Sequence, residues 1–426
     1  HYPLRRQRQM CIRDSNSNYG IPGAHHHESV PGEPDEEEAV RIDLQQQRYD
    51  LKARWDHPFA GVENIKWRYG LNQYTHTELE GSEIGTVFNN DAYESRLELA
   101  HHPFAGIQGV IGVHWGERDF IAIGDEAFVP PSQTDSKAIF IVEEKRLGPV
   151  RVEAGLRAEN VRITPESTQT LYDENAMSWS LGAVWEFAPH WNMALSYASA
   201  ERHPFAEELY ANGPHIATQT FEIGDETLTT EHAKNIDLGL RYNTDRHQLS
   251  IALYQNTVAD FIYANATGIE QDDLPVYQYQ QADARLKGME ISWDWLIART
   301  TWGDVESHVF YDETNGKLDA HGHLPRIPAK RLGFGLSVEN DTWSVGGEYV
   351  NVDDQTRTAE LETPTDGYQM LNTHVMYRLY TGDITWDAFL RGTNLLDEDI
   401  RLHASFLKDV APQAGRSLTA GVRLHF

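Results

Sequence analysis

The chain has 426 residues, a formal charge of −29 at pH 7, 40% hydrophobic residues and a mean hydropathy of −0.56. No run approaches the roughly 20 apolar residues of a spanning helix, which excludes a helical membrane protein, and the acidic balance argues against nucleic acid, which is bound through Lys and Arg. A single cysteine, Cys11, rules out an intrachain disulfide framework and a cysteine-based zinc finger.

In chain order, His1 to Gln9 is basic but has no apolar core, so it is not a secretory signal. Met10-Cys-Ile-Arg-Asp-Ser15 resembles translated adapter sequence, and residues 1–15 are read as non-native, with the native chain expected to enter near Asn16. Residues 16–43 read as a His- and acid-rich loop: Tyr19-Gly-Ile-Pro-Gly-Ala-His25-His26-His27-Glu28, followed by Glu33-Pro-Asp-Glu-Glu-Glu38.

From residue 44 the signal is period two. Met177, Trp179, Leu181, Ala183, Trp185 and Phe187 share one face, with Ser178, Ser180, Gly182 and Glu186 on the other. Trp191, Met193, Leu195 and Tyr197 repeat the pattern after Ala188-Pro189, and Ile236, Leu238, Leu240 and Tyr242 repeat it again. Stripes of 9 to 11 residues ending in an aromatic ring suit strands with lipid on one side and water on the other. The pattern predicts strands near 44–56, 62–76, 90–101, 106–118, 136–146, 149–164, 177–187, 190–200, 232–243, 246–263, 277–297, 302–312, 329–339, 342–354, 367–380, 384–395 and 415–426, seventeen in all.

The connections alternate. Leu147-Gly148, Ala188-Pro189, Thr244-Asp245, Asn340-Asp341 and Thr381-Gly-Asp383 are tight, whereas the intervening links are long and rich in Asp, Glu, Gly and His. That alternation predicts an all-β, antiparallel, up-and-down transmembrane barrel with trimmed periplasmic turns and elaborated outer loops. A soluble β-sandwich or propeller would share the period but not the turn alternation. Because the first and last of the seventeen strands run in the same direction, antiparallel closure asks for at least one further strand upstream.

From Ala200 the residues become specific: Ala200-Glu-Arg-His-Pro-Phe-Ala-Glu-Glu-Leu-Tyr210, Phe221-Glu-Ile-Gly-Asp225, Glu231 and Lys234-Asn-Ile-Asp-Leu-Gly-Leu240. The ending, Asn394-Leu-Leu-Asp397 and then Gly415 to Phe426 with Leu418, Ala420, Val422, Leu424 and Phe426 alternating, points the same way. Residues 16–426 resemble the barrel of TonB-dependent outer-membrane receptors. Thr227-Leu-Thr-Thr230 stands where that family often has prolines. The plug domain and the TonB-contacting segment that precede the barrel in the family are absent, and about seventeen strands stand against the family's twenty-two. The resemblance therefore implies an incomplete barrel over residues 44–426, in the outer membrane of a Gram-negative bacterium, contacting outer-membrane lipid and coupled through the missing plug to the TonB energy-coupling complex.

The first loop also resembles the His-rich loop of the family's zinc-uptake branch. Imidazole beside carboxylate suits zinc, copper or nickel better than calcium or magnesium; the competing reading is a solvated loop that meets metal incidentally. Since consecutive histidines cannot all ligate one tetrahedral ion, the site formed by His25, His26, His27 and Glu28 is expected to recruit His215, His321 and His323, with Asp272 and Asp273 as oxygen donors. His57, His101 and His102 sit in His-Pro-Phe-Ala-Gly turns and read as structural. Zinc, as a metal ion or metal chelate, is the leading cargo. Haem follows, with His215 as an axial ligand, and a ferric siderophore comes third. No resident cofactor is required and no nucleic acid is expected.

Two rival classes of function compete with this reading, and the chain is not expected to be an enzyme. An outer-membrane enzyme would need a nucleophile, a base and an orienting group together, yet there is no Gly-x-Ser-x-Gly elbow or His-Glu-x-x-His motif. A passive porin would need no plug, so a signal peptide and a plug encoded upstream of Asn16 would separate the two readings.

Overall fold

A computed structural model describes residues 6–25, 39–80, 83–124, 127–319 and 322–426. Among these residues one sheet holds twenty-one strands. In chain order they are β1 (Arg6–His25), β2 (Ala39–Asp56), β3 (Val62–Glu80), β4 (Glu83–His101), β5 (Ile107–Gly124), β6 (Ser132–Leu147), β7 (Val150–Pro165), β8 (Tyr172–Ala188), β9 (Trp191–Arg202), β10 (Asn212–His215), β11 (Thr220–Ile223), β12 (Glu231–Asn243), β13 (His247–Gln271), β14 (Leu274–Thr300), β15 (Gly303–Leu318), β16 (Gly322–His323), β17 (Arg331–Glu339), β18 (Trp343–Val352), β19 (Tyr368–Thr381), β20 (Ile384–Thr393) and β21 (Ser417–His425). A five-residue helix, α1 (Ala206–Tyr210), precedes β10. Antiparallel ladders join β1 through β7 in order, and β14 through β15, β17, β18, β19, β20 and β21.

All seventeen expected strands are present, and the structure corrects the count and several boundaries. An eighteenth long strand lies upstream: β1 pairs with β2 from Arg6 opposite Trp55 to Gly20 opposite Arg41. It occupies part of the segment read as non-native and part of the 16–43 loop, whose two ends are therefore strand. Likewise, β13 and β14 run on to Gln271 and from Leu274, and a two-residue turn joins them where a longer loop was expected. In β13 and β14 the ladder continues beyond the apolar stripe, where alternation no longer marks a strand, whereas β1 lies in sequence read as non-native and as loop.

The predicted stripes are on the surface. Met177, Trp179 and Leu181 of β8 are exposed, Leu181 by 52%, and so are Leu418, Val422 and Leu424 of β21, Leu418 by 70%. In water each such side chain would forgo roughly 1.5–3 kcal/mol of burial. A bilayer would remove that cost, the setting that the alternating pattern predicts. On the alternate face, Arg48 pairs with Asp50 at 3.0 Å, Arg96 with Glu98 at 2.8 Å and Arg157 with Glu159 at 2.5 Å. Each pair is two residues apart, the spacing that puts both partners on one side of a strand.

The chain divides into two compact units, residues 1–183, 197–234 and 258–283, and residues 184–196, 235–257 and 284–426. In the first, the buried apolar cluster lies among the outer connections: Phe128, Val129, Ile163, Tyr172, Leu209 and Tyr210 are packed together. In the second, a polar cavity of about 620 Å³ is lined by Asp294, Glu306, His308, Glu348, His374 and Arg391 among others.

Candidate functional site

The segment from Arg202 to Glu231 is held by a buried polar staple. Arg202 donates to Glu231 through Nε and Nη2, both at 2.8 Å, and to Glu208 through Nη1 at 2.9 Å. Glu208 also accepts the Phe205 backbone N–H at 2.8 Å, which closes the first turn of α1, and Glu231 accepts the Ile262 N–H at 2.6 Å. Burial pushes the Glu208 carboxyl above its ordinary range despite the two bonds from Arg202. The Tyr172 hydroxyl bridges His203 Nδ1 at 2.8 Å and Thr230 Oγ1 at 3.1 Å. Burial pushes Tyr210 up to about 12, with its hydroxyl donating to the Thr170 carbonyl at 2.7 Å.

Phe221-Glu-Ile-Gly-Asp225 folds back on this helix. Gly224 N–H donates to Ala211 O at 2.7 Å, and a Cβ on Gly224 would stand 2.6 Å from the Leu209 carbonyl, so only glycine fits. The residues that carry the family resemblance thus form a structural clamp.

The clamp presents His215. The hairpin of β10 and β11 sets His215 opposite Thr220, and its ring lies flat on Phe128 with centroids 4.4 Å apart. Its Nδ1 is 2.8 Å from Glu222 Oε1. Glu222 is buried and accepts from Thr218 Oγ1 and Thr220 Oγ1, both at 3.2 Å, and from Tyr279 O–H at 3.0 Å. Burial alone would raise this carboxyl; the hydrogen bonds, led by His215, outweigh it and hold Glu222 below its ordinary range. An ionised carboxylate only accepts, so the proton between them sits on Nδ1, and Nε2 is the nitrogen left to face a metal, the arrangement of a carboxylate-backed ligand.

A second imidazole stands nearby. His76, on the outer extension of β3, stacks on Phe88 at 4.4 Å and has its Nδ1 buried without a hydrogen-bond partner. Burial, and then the neighbouring His215, hold its ring below the usual imidazole range. Ile42 of β2 packs against Ile216 and Ala217, and Ala39, three residues earlier, pairs with His25. Three strand residues span roughly 10 Å, so the base of the His-rich loop and His215 share one neighbourhood.

The other candidates are not gathered there. Asp272 and Asp273 form the exposed turn between β13 and β14, with φ of +54° and +58°, which is a turn-forming role. His323 lies in β16 opposite Lys317. His26, His27, Glu28 and His321 lie outside the described residues. Among the described residues no three His, Cys, Asp or Glu side chains are arranged to hold a metal ion. The sequence reading missed Glu222, Tyr279 and His76. Glu222 lay inside the recognised segment, two residues after Thr220, but nothing in the linear order tied it to His215.

An exposed apolar face, long antiparallel strands and a clamped hairpin together define a β-barrel fold of the membrane-spanning type. The chain belongs to the TonB dependent receptor-like β-barrel family, whose model matches residues 12–395. Among solved structures it resembles the copper transporter OprC (17% identity, TM-score 0.76, 91% of this chain and 69% of that one). It also resembles the FrpB iron transporter of Neisseria meningitidis, F3-3 variant (13%, 0.75, 98% and 69%), and BauA, the ferric preacinetobactin receptor of Acinetobacter baumannii (12%, 0.71, 98% and 69%). A 138-residue stretch is 25% identical to hemoglobin-haptoglobin utilization protein B of Neisseria meningitidis serogroup A / serotype 4A, covering 28% of this chain and 17% of that protein.

Proposed function

We propose that the chain is the barrel of an outer-membrane receptor that captures zinc at its outer loops and imports it with energy from the TonB complex, acting through a plug. The observation that supports this reading is the Glu222-backed His215, with His76 beside it and the root of the His25–His27 loop in reach. Neutral imidazole is a ligand for zinc, and a carboxylate on the far nitrogen fixes the tautomer and raises basicity. The histidine loop supplies the remaining donors. Capture and release require no bond-making chemistry, so no resident cofactor is needed.

Calorimetric titration of the full-length receptor with zinc chloride tests this. His215→Ala and the triple replacement of His25, His26 and His27 by Ala should each weaken zinc binding, and Glu222→Gln should weaken it about 10- to 100-fold. Unchanged affinity in both histidine variants rejects zinc capture at this site. Haem is the second reading, favoured by the single oriented imidazole of His215 and by the partial likeness to a haemoglobin-utilization protein. A His215-dependent shift of the haem absorption band on adding haemin, with no zinc heat, would select it.

A further inference from the structure

On the lipid-facing side of β4 to β7 one row interrupts the apolar surface. Leu99, Ile111, Ile141 and Leu156 face one another across four strands and are all aliphatic. Four residues along β5, toward the short turns, Ile107 pairs with Lys145, and Lys145 pairs with Val152. Phe104 and Ile107 exchange two backbone hydrogen bonds of 2.9 Å. Directly paired residues share a face, so Phe104 points outward with Ile107 and is 79% exposed, as Leu147, two residues past Lys145, is by 54%.

Between these rows lies a polar notch. Gly109 stands opposite Glu143, and a Cβ there would be 2.6 Å from Glu143 Oε2. Across the bare glycine, His101 Nε2 contacts both Glu143 carboxylate oxygens at 3.0 and 3.1 Å. His101 Nδ1 faces the His102 carbonyl at 2.8 Å and therefore carries a hydrogen. The contact with Glu143 needs a second proton, which makes the pair neutral as a whole. Lys145 then contributes a net positive charge to an otherwise apolar, outward surface. Its stem passes the β4–β5 turn, with Cε 3.9 Å from where a Cβ on Gly106 would lie, so the ammonium sits at the periplasmic rim. Stacked His57 and His102 rings, 5.6 Å apart and 12° from parallel, brace that turn.

We propose that this notch seats one phospholipid of the periplasmic leaflet, its phosphodiester on Lys145 Nζ at the level of Phe104 and Leu147 and its acyl chains running along Ile107 and Val152 toward Ile111, Ile141 and Leu156. An ionisable group on a lipid-facing surface is costly unless it meets a counter-charge, and at the rim the counter-charge is the phosphate headgroup. The surface is continuous with the apolar belt above it, which makes lipid the fitting occupant.

Native mass spectrometry of the full chain in detergent, titrated with dioleoylphosphatidylglycerol, tests the proposal. One phospholipid should stay bound. Lys145→Ala should weaken its retention about tenfold, while Lys145→Arg retains it, as expected for one charge-assisted contact. Lys145→Gln, which keeps the stem, gives the same reading where the alanine variant fails to fold, with heat-modifiable gel migration reporting the folded barrel. Equal retention with and without the charge overturns the proposal. So does inorganic phosphate competing as strongly as the lipid, or a dimer that depends on Lys145 in place of bound lipid.

Discussion

Arg202 illustrates how a single side chain can organise an outer loop. Its guanidinium satisfies two buried carboxylates that would otherwise stand desolvated beside each other. Removing one partner of a fully buried ion pair costs about 3–5 kcal/mol, and solvent at the one-third exposed guanidinium brings the cost here below that range. Arg202→Ala should therefore free the 203–230 connection, read as faster proteolytic nicking there while the strands stay protected; equal nicking rates would contradict the clamp. Glu222 adds a pH dependence of known sign. Its folded value lies below the ordinary 4.5, so it favours the hairpin above pH 4.5, and that contribution is lost as pH falls through the depressed value. The melting midpoint of the near-ultraviolet circular dichroism signal should drop more below pH 4.5 in the natural chain than in Glu222→Gln. Parallel pH profiles would remove Glu222 from that role.

At the level of strands, glycine and aromatic rings are paired across the polar face. Phe140 lies directly opposite Gly112, and a Cβ on Gly112 would meet its ring at 2.2 Å; Phe310 and Gly333 repeat the arrangement. The ring lies down over the bare backbone, and Arg96 stacks on Phe140 with its guanidinium carbon 4.2 Å from the ring centre. Gly112→Ala should cost about 1–3 kcal/mol through this overpacking. In Gly112→Ala/Phe140→Ala the two costs should fall short of their sum, measured by urea unfolding of the refolded barrel; strict additivity would show that the ring is not the obstacle. Such pairs are invisible in the linear sequence, because register must be known before Gly112 and Phe140 are neighbours. The strands themselves were legible wherever lipid faced one side, as in 177–187 and 190–200. Legibility failed for β1, for the far ends of β13 and β14 and for short β10, β11 and β16. At the ends of β13 and β14 and in the short strands polarity no longer alternates, whereas β1 falls in sequence read as non-native and as loop. At the candidate site, His215 was legible as a lone imidazole in a long loop, whereas its orientation by Glu222 depends on a hairpin that only the fold reveals.

For the whole molecule, the decisive quantity is the solvent each face meets. The stripe Met177, Trp179 and Leu181 is exposed, while Ser180 lies on the alternate face with its Oγ 2.9 Å from where a Cβ on Gly155 would stand. If the apolar stripe faces hydrocarbon, an arginine near its middle must be dragged to an interface or buried unpaired, at about 2–4 kcal/mol for a midplane position in a barrel. An arginine in place of Ser180 meets water and the Arg- and carboxylate-rich polar face. Leu181→Arg should therefore lower the stability of the barrel in phosphatidylcholine vesicles by that amount, with Ser180→Arg costing less. In detergent micelles, which deform around a charge, the gap between the two variants should narrow. Equal losses in vesicles, or a larger loss for Ser180→Arg, would mean that the two faces do not meet different solvents, and with that the membrane-spanning reading of the sheet would fail.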